Sequence, residues 1–351
     1  MFAKAADYLK QSRERAREGH LPVYRQLAEM VVLELGYSLG PGFYHAARFW
    51  RQDMPFQSKT RYRTGKRYLK AVAAISNPAY YKLSQHKVAE KALLMLFAIP
   101  TPEFLGFFHP HIGRTGDGRP LTNDEEFLAL LQRKSIATVA IKMPEGSCGT
   151  GFDIIDINAD NQGQIFSREL QRRMPVAEYL ALKQRESVDQ GVVMEAVIDQ
   201  HPAMAKLNTS SVNSLRMWVR QSGTGVKVKS VLLKIGHPQN LTDNAPTGGL
   251  VVPASVPAGA LGKPIFFPPP AGEVAGDHFD CRCLEGFKIP FWQEALELAE
   301  RCLRVFPHLN FAGMDVAITA DGPLIIELNV EPDALHATRV DIPTLDLLSS
   351  E

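Results

Sequence analysis

The sequence predicts an α+β protein, in which a helical first quarter precedes a region of mixed helices and strands. Apolar residues recur at helical spacing in 23–37 and 291–305, which is typical of helices with one buried face. The runs 136–142, 191–198 and 227–235 are rich in β-branched residues and have the length of strands. With 351 residues, the chain is long enough for two or three lobes.

The remaining elements follow from residues that begin or end helices and strands. Thr122 or Asn123 is the expected N-cap of one helix, because acidic residues follow in its first turn. A proline pair is expected to end another helix near residue 99. Further helices are predicted over 1–19, 84–97, 123–134 and 176–183. Further strands are predicted over 152–157 and in the second half of 209–220.

Cysteine usage gives no sign of a disulfide framework or a zinc site. The chain contains one Cys-x-Cys but no pair of Cys-x-x-Cys motifs, so reduced thiols are expected. No signal peptide opens the chain, and the longest apolar run, 92–100, is far shorter than the roughly 20 residues of a membrane span. We therefore expect a soluble, cytoplasmic protein. The four cysteines are Cys148, Cys281, Cys283 and Cys302.

Charge is distributed unevenly along the chain, whose formal net charge is +1. Residues 1–91 contain 17 Lys and Arg against 7 Asp and Glu, so the remainder of the chain is acidic. We predict a helical basic N-terminal region over 1–84, which could contact a membrane surface or another anionic partner. The alternative is that these cations lie on solvated helix faces, which the interleaved aromatic and apolar residues favour. No nucleic-acid binding is expected.

The segment 311–333 predicts a hairpin with three hard metal ligands on it. Its first arm carries Asp315, turn residues follow, and its second arm carries Glu327 and Asn329 on one face. Two carboxylates and an amide oxygen on adjacent strands suit Mg²⁺. The alternative is an edge hairpin whose polar face is only solvated. Period-2 geometry places the apolar residues on the opposite face, namely Leu324, Ile326, Leu328 and Val330.

A glycine-rich loop, 144–151, lies between two predicted strands and indicates a hairpin flap. Closely spaced glycines allow backbone N–H groups to turn inward as an anion site, and Lys142 precedes the loop as a cation. A polyphosphate would fit there, although a flexible surface hairpin has the same pattern. The loop matches neither the P-loop nor the dinucleotide-binding fingerprint.

Two charged residues interrupt predicted strands in the middle of the chain. Glu195 stands among apolar neighbours, where a carboxylate needs a donor such as an adenine amino group or a ribose hydroxyl. Arg216 begins a later strand, and its forked donors suit a phosphate or a carboxylate. A structural salt bridge is the alternative for Arg216.

The order of these residues resembles that of the ATP-grasp superfamily, and in particular its sugar-transfer-associated group. In that superfamily a helical lysine, a strand lysine, a glycine flap, an acidic residue on the adenine-side strand, an Asp and a Glu-x-Asn follow one another. The resemblance covers roughly residues 83–335. The corresponding residues are Lys87 or Lys91, Lys142, the loop 146–151, Glu195, Asp315, Glu327 and Asn329.

The resemblance implies an ATP-grasp fold, with ATP between a nucleotide-binding lobe over 85–198 and a metal and substrate lobe over 199–351. It leaves open whether Lys87 or Lys91 reaches the phosphates. The implied catalytic residues are Arg216 and Lys142. The implied ligands of one or two Mg²⁺ ions, or of Mn²⁺, are Asp315, Glu327 and Asn329. The implied nucleotide contacts are Lys87, Lys91, Lys142, Gly146, Ser147, Gly149, Gly151, Glu195, Ala196, Val197 and Ile198.

The same resemblance implies an ATP-dependent carboxylate–amine ligase. Such an enzyme forms an amide or peptide-type bond through an acyl phosphate, and its substrates would be a small carboxylic acid and an amine. One alternative is a kinase that phosphorylates a hydroxyl group. Another is a nucleotide-binding scaffold without catalytic activity in a glycan-assembly pathway.

Overall fold

The structure, a computed structural model, describes residues 2–146, 149–157, 163–223, 225–244, 247–266 and 284–350. Within these ranges the chain forms a group of N-terminal helices and two antiparallel sheets, one of seven strands and one of six. The predicted site residue Ser147 lies outside the described residues, as do Cys148, Cys281 and Cys283.

The first helices pack around a small aromatic core of their own. Phe49 and Tyr62 meet edge to face with ring centroids 5.1 Å apart, and both are buried. Beside them the fully buried Lys59 places its Nζ atom 2.6 Å from Glu29 Oε2. The helices before the first strand are α1 (Phe2–Arg17), α2 (Val23–Tyr37), α3 (Pro41–Ala46), α4 (Phe56–Lys59), α5 (Gly65–Ile75), α6 (Lys82–Gln85) and α7 (Lys87–Leu96).

The prediction of one helix over 84–97 is wrong at its beginning, because the helix is interrupted between α6 and α7. His86 has an extended backbone (φ −100°, ψ 107°) and separates the two helices. The Lys87 amide donates to the carbonyl of Pro144, 2.9 Å away, and not to a carbonyl of the preceding turn. This long-range bond fixes the beginning of α7 against the start of the glycine loop.

The seven-stranded sheet has the order β2-β1-β7-β3-β4-β5-β6, with every pair antiparallel. Two helices, α8 (Asp124–Arg133) and α9 (Val176–Glu186), contribute to its core through Phe127 and Tyr179. Its strands are β1 (Phe104–Phe108), β2 (Arg114–Thr115), β3 (Thr138–Lys142), β4 (Asp153–Ile157), β5 (Gln164–Ser167), β6 (Arg172–Pro175) and β7 (Val192–Ala196).

The six-stranded sheet has the order β11-β10-β9-β8-β12-β13 and is also antiparallel. Helix α11 (Trp292–Val305) packs in the larger core cluster of this sheet, and Tyr68 of α5 packs in a second cluster with Trp218. The remaining short helices are α10 (Pro202–Ala205), α12 (Ala334–Arg339) and α13 (Thr344–Leu348). The strands are β8 (Leu215–Ser222), β9 (Gly225–Ile235), β10 (Leu250–Ala254), β11 (Ile265–Phe266), β12 (Phe311–Thr319) and β13 (Gly322–Asn329).

The predicted hairpin is formed by β12 and β13, but the alternation predicted for its second arm is wrong. Asp315 pairs with Glu327, and the ladder then shifts by one residue so that the next residue of β12 pairs with Ile325. Ile326 is the extra residue of this irregularity, which moves Ile325 into the core and leaves Leu324 and Ile326 only partly buried.

The predicted lobe boundary at residue 198 lies between β7 and β8, which belong to different sheets. The division of the chain into three regions stays a prediction. Among the described residues, no helix combines the length and the apolar character needed to cross a lipid bilayer.

Candidate nucleotide and metal site

Glu195 lies between two lysines at the centre of the seven-stranded sheet. Strands β3 and β7 are neighbours, and Ala140 pairs with Glu195, which brings Lys142 at the end of β3 close to the carboxylate. Lys142 Nζ donates to Glu195 Oε2 at 2.5 Å, and Lys91 Nζ of α7 lies 3.0 Å from Oε1 as an ion pair. Only 1 % of Glu195 and 2 % of Lys91 are exposed. Lys91 also donates to the hydroxyl of Thr101.

Burial and charge act in opposite directions on these three groups. Burial by itself raises the pKa of Glu195, but Lys142 and Lys91 outweigh it and hold this pKa below its ordinary value. For Lys91 burial wins and its pKa is lowered, whereas for Lys142 the attraction of Glu195 outweighs burial and its pKa is raised. Lys142 is therefore the firmly charged lysine of the pair.

The Glu195 carboxylate is buried between its two lysines, and its two oxygens are held differently. Its Oε1 atom is buried and accepts no hydrogen bond of good geometry from the described residues, although Lys91 compensates its charge. A buried acceptor without a donor fits the adenine amino group that the sequence suggests for this residue. That contact stays a prediction.

The chain leaves the sheet directly after Ala196. Ala196 ends β7, and its amide donates to the carbonyl of Glu103 at 2.9 Å. The strand predicted to reach residue 198 is therefore two residues shorter. Val197 is 37 % exposed and Ile198 is partly buried, and both lie in the connection that follows β7. Their predicted role at the adenine edge stays a prediction.

Lys87 lies at the base of the glycine loop. Its Nζ donates to the carbonyl of Gly146 at 3.0 Å, and the side chain is only partly buried. Lys87 thus faces the loop, whereas Lys91, one helical turn later, faces Glu195. The sequence left Lys87 and Lys91 as alternatives for one contact. In the structure the two lysines occupy different positions around the same site and make two separate contacts.

The glycine loop needs glycine at two described positions. Gly149 and Gly151 have φ of +74° and +67°, which other residues rarely adopt. A Cβ atom at Gly151 would lie 2.4 Å from Met143 Cε, whereas one at Gly146 would lie 3.3 Å from its nearest neighbour. A Cβ atom at Gly149 would lie 3.0 Å from Thr242, so the loop approaches the second lobe.

Asp315, Glu327 and Asn329 come together on β12 and β13, as the predicted hairpin requires. Asp315 and Glu327 are paired across the strands, and Asn329 Nδ2 donates to Glu327 Oε1 at 3.2 Å. Both Asp315 oxygens are taken by cations: Oδ1 accepts from Arg216 Nε at 2.6 Å, and Oδ2 lies 3.1 Å from both Arg216 Nη2 and Lys234 Nζ. Glu327, by contrast, has no Lys or Arg nitrogen within 4.0 Å among the described residues.

The donor set therefore fits a metal ion in part. Glu327 and Asn329 offer adjacent oxygen donors without a competing cation, which suits Mg²⁺. Asp315 is held by Arg216 and Lys234, whose attraction outweighs burial and keeps its pKa well below the ordinary value. In the part of the chain that the structure describes, no three His, Cys, Asp or Glu residues gather as a metal site. The place of Asp315 in a metal shell stays a prediction.

Three candidate functional residues were not predicted from the sequence, namely Lys234, Asp243 and Glu90. Lys234 lies 3.1 Å from Asp315 and 3.2 Å from Asp243, and it is 7 % exposed. Its strand, β9, also carries Lys227 and Lys229, so the available signal was only the position of Lys234 within the apolar stretch 231–235. Asp243 lies in a loop and accepts from the Ser214 amide at 3.1 Å, for which no local pattern exists.

Glu90 is the third, and it holds the strand that carries Glu327 and Asn329. Its Oε1 accepts from the Leu328 amide at 2.6 Å, and the Ser84 hydroxyl donates to the Leu328 carbonyl. Strand β13 is at the edge of its sheet, so its outer groups need such partners. Burial raises the pKa of Glu90 to about 8. From the sequence it is an ordinary glutamate beside a helical lysine.

The two sheets, with a glycine flap and paired lysines on one and a carboxylate hairpin on the other, define a protein of the ATP-grasp class. The family model described as sugar-transfer associated ATP-grasp matches residues 68–341. The chain therefore belongs to the sugar-transfer-associated ATP-grasp family, and the predicted α+β ATP-grasp fold is confirmed. No curated protein matches the sequence.

Solved structures with similar folds are distant in sequence. A biotin carboxylase from Campylobacter jejuni, solved with a β,γ-ATP ligand, is 11% identical with a TM-score of 0.49, over 84% of this chain and 52% of that one. A RimK domain ATP-grasp protein from Sphaerobacter thermophilus is 14% identical with a TM-score of 0.42, over 82% and 78%.

A biotin carboxylase domain from Hydrogenobacter thermophilus, solved with MgADP, ADP and bicarbonate, is 12% identical with a TM-score of 0.45, over 77% and 46%. The chain thus spans about half the length of the two carboxylase chains that it matches. We base no assignment of substrates on these likenesses.

Proposed function

We propose that the protein is an ATP-dependent carboxylate–amine ligase that forms an amide or peptide-type bond and releases ADP and phosphate. The observation that supports it best is that buried charged groups on the two sheets are linked electrostatically. Lys91, Lys142 and Glu195 form one buried group, Arg216, Lys234 and Asp315 form another, and Glu327 influences the lysine or arginine of each. Such an arrangement suits a polyphosphate beside a carboxylic acid.

Nucleotide binding is assigned to the first of these groups. Lys142 keeps its charge and would neutralise the phosphate oxygens of ATP, while Lys87 and the loop amides would approach them from the flap. Until ATP binds, Glu195 would hold the two lysine side chains in place. When ATP binds, it would give up its contacts with Lys91 and Lys142, so that both Nζ atoms could donate to the phosphates. Mg²⁺ bound at Glu327 and Asn329 would supply the usual neutralisation of phosphate charge.

The acid would bind at the second group. In the first step a carboxylate oxygen of the substrate attacks the γ-phosphorus of ATP, ADP leaves, and an acyl phosphate forms. In the second step the amine nitrogen attacks the acyl carbon, phosphate leaves with the carbon–oxygen bond pair, and the nitrogen loses a proton. Arg216, which makes two contacts to Asp315, would orient the acid and stabilise negative charge on its oxygen.

A flap over the site would protect the acyl phosphate. The loop begins directly after Lys142, and its Gly149 approaches Thr242 of the opposite lobe. With the loop in this position, water has less access to an intermediate held between the sheets. The acid and the amine are small molecules in this proposal, and their identity is to be found by screening.

The test measures ADP release from ATP and Mg²⁺ with a panel of carboxylic acids and amines. We expect Lys142→Met and Glu327→Ala each to reduce acceptor-dependent ADP release by at least about 100-fold, the loss typical of removing electrostatic stabilisation of a transition state. The matched controls are Lys134→Met, at the exposed end of α8, and Asp321→Ala, at the exposed tip of the β12–β13 hairpin. Both should retain turnover.

Other outcomes would replace the proposal. Full turnover in Lys142→Met or Glu327→Ala, with unchanged thermal unfolding, would sink the site assignment. A stable phosphorylated product without amide formation would identify a kinase. Tight ATP binding without turnover, whichever acid and amine are supplied, would identify a nucleotide-binding scaffold.

A further inference from the structure

The outer face of α2 is apolar although it faces solvent. Tyr24, Leu27, Val31, Val32 and Leu35 are between 39% and 81% exposed, with Leu35 the most open. Their spacing of three and four residues places them along one side of the helix. The opposite side is buried against the N-terminal core and is partly polar, so the exposed side of α2 is the more apolar of the two.

The stripe belongs to none of the hydrophobic clusters formed by the described residues. The buried side of α2 is formed by Gln26, Glu29, Met30 and Leu33. A row of large apolar side chains in water is unfavourable and marks a surface that another molecule covers. On α2 only Arg25 and Glu34 flank the row with exposed charge.

Unpaired cations surround the same region. Helix α5 contains no acidic residue, and its Lys66, Arg67 and Lys70 are exposed. Arg63, just before α5, lies over the ring of Tyr37 at the end of α2, 5.7 Å from its centroid, which places the beginning of α5 near the end of α2. Helix α1, which packs against α2, adds three more exposed cations. These are Lys10, Arg13 and Arg17.

The six exposed cations have no carboxylate within 4.0 Å among the described residues. Arg48 and Arg61 pair with Asp341 and Asp346, whereas these six lie on solvent-exposed helix faces without such a partner in the described chain. A row of apolar side chains beside free cations is typical of a helix that binds a surface in which phosphate groups cover an apolar layer.

We propose that α2, with the cations of α1 and α5, docks the protein on the surface of an anionic lipid bilayer. The apolar side chains of α2 would enter the boundary between headgroups and acyl chains, and the cations would contact lipid phosphates. A second copy of the chain fits the surface less well, because two strongly basic regions would then face each other. A nucleic acid would satisfy the cations but would leave the apolar row in water.

The test is sedimentation of the full chain with vesicles of phosphatidylcholine, with and without phosphatidylserine, at low and high salt. We expect binding only to the vesicles that contain phosphatidylserine, and weaker binding at high salt. Lys66→Gln with Lys70→Gln should lower the partition coefficient by about 10-fold or more, since each cation near an anionic surface contributes roughly fivefold.

The apolar row is tested by Val31→Glu with Leu35→Glu, which should reduce binding to the same extent. The matched control is Ile112→Glu, because Ile112 is 65% exposed but lies between β1 and β2 in the other lobe. Its binding should equal that of the unchanged chain. Thermal unfolding of all variants is compared, since these side chains are exposed and their replacement should leave the fold intact.

Three results would overturn the proposal. The first is equal binding to both kinds of vesicle, or to neither. The second is unchanged binding of the Val31 and Leu35 variant. The third is a dimer in sedimentation velocity that this variant converts to a monomer, which would assign the stripe to a second copy of the chain. None of these results depends on the proposed ligase activity.

Discussion

Replacing Glu195 with glutamine should destabilise the protein strongly. The carboxylate compensates two lysines, of which Lys91 is 2% exposed and has no other carboxylate within 4.0 Å in the described part of the chain. Removing one partner of a buried ion pair costs about 3–5 kcal/mol, because the remaining charge stays in a medium of low dielectric constant. Lys91 can lose its proton, since burial already lowers its pKa, so we expect the lower part of this range.

The assay is urea unfolding followed by tryptophan fluorescence. The control is Glu103→Gln, which removes the carboxylate of an exposed ion pair with Lys134 and should cost less than about 1 kcal/mol. The double variant Glu195→Gln with Lys91→Met should recover about 1–3 kcal/mol relative to the sum of the single changes, because both buried charges are then gone.

Two results would refute this reasoning. If Glu195→Gln lost no more free energy of unfolding than Glu103→Gln, leaving the buried lysine without its carboxylate would carry no special electrostatic cost. If the double variant were simply additive, Lys91 and Glu195 would not depend on each other for stability, and the 3.0 Å ion pair between them would contribute nothing to it.

The remaining predictions concern three other groups. Glu90→Leu should lower the free energy of unfolding in urea by about 1–3 kcal/mol, because it leaves the buried Leu328 amide unpaired. Glu90→Gln keeps the acceptor and should cost less, so equal losses in the two variants would contradict this prediction. Gly151→Ala should weaken ATP binding in calorimetry by about 10-fold or more through strain, and Gly146→Ala far less; the reverse order would contradict the flap geometry. Burial lowers the pKa of His45, so the unfolded state binds more protons, and stability should fall as pH drops below 6.5; His45→Gln should flatten this fall, and an unchanged pH profile would contradict it.

Much of the site could be predicted because its residues stand out against their local pattern. Lys142 precedes a cluster of glycines, and Glu327 and Asn329 share one face of a strand whatever its partner. The structure confirms that shared face through the contact between their side chains. Each of these features depends on residues within about ten positions, over which strand and turn periodicity holds.

The errors have a common physical cause, which is a contact between distant parts of the chain. The helix over 84–97 is broken because the Lys87 amide bonds to Pro144, more than fifty residues away. The alternation of β13 fails because the register with β12 shifts after Asp315. Neither the remote carbonyl nor the register shift leaves a local trace in the sequence.

The sequence by itself determined the order of the chemical groups and the strands and helices that carry them, because backbone propensity and side-chain periodicity are local. Only the tertiary structure decided how the charges pair. Asp315, for which a metal-binding role is predicted, holds Arg216 and Lys234, which lie 99 and 81 residues away, and Glu195 joins Lys91 to Lys142. Strand order and helix packing select these partners, and a buried charge takes whichever opposite charge they bring within reach.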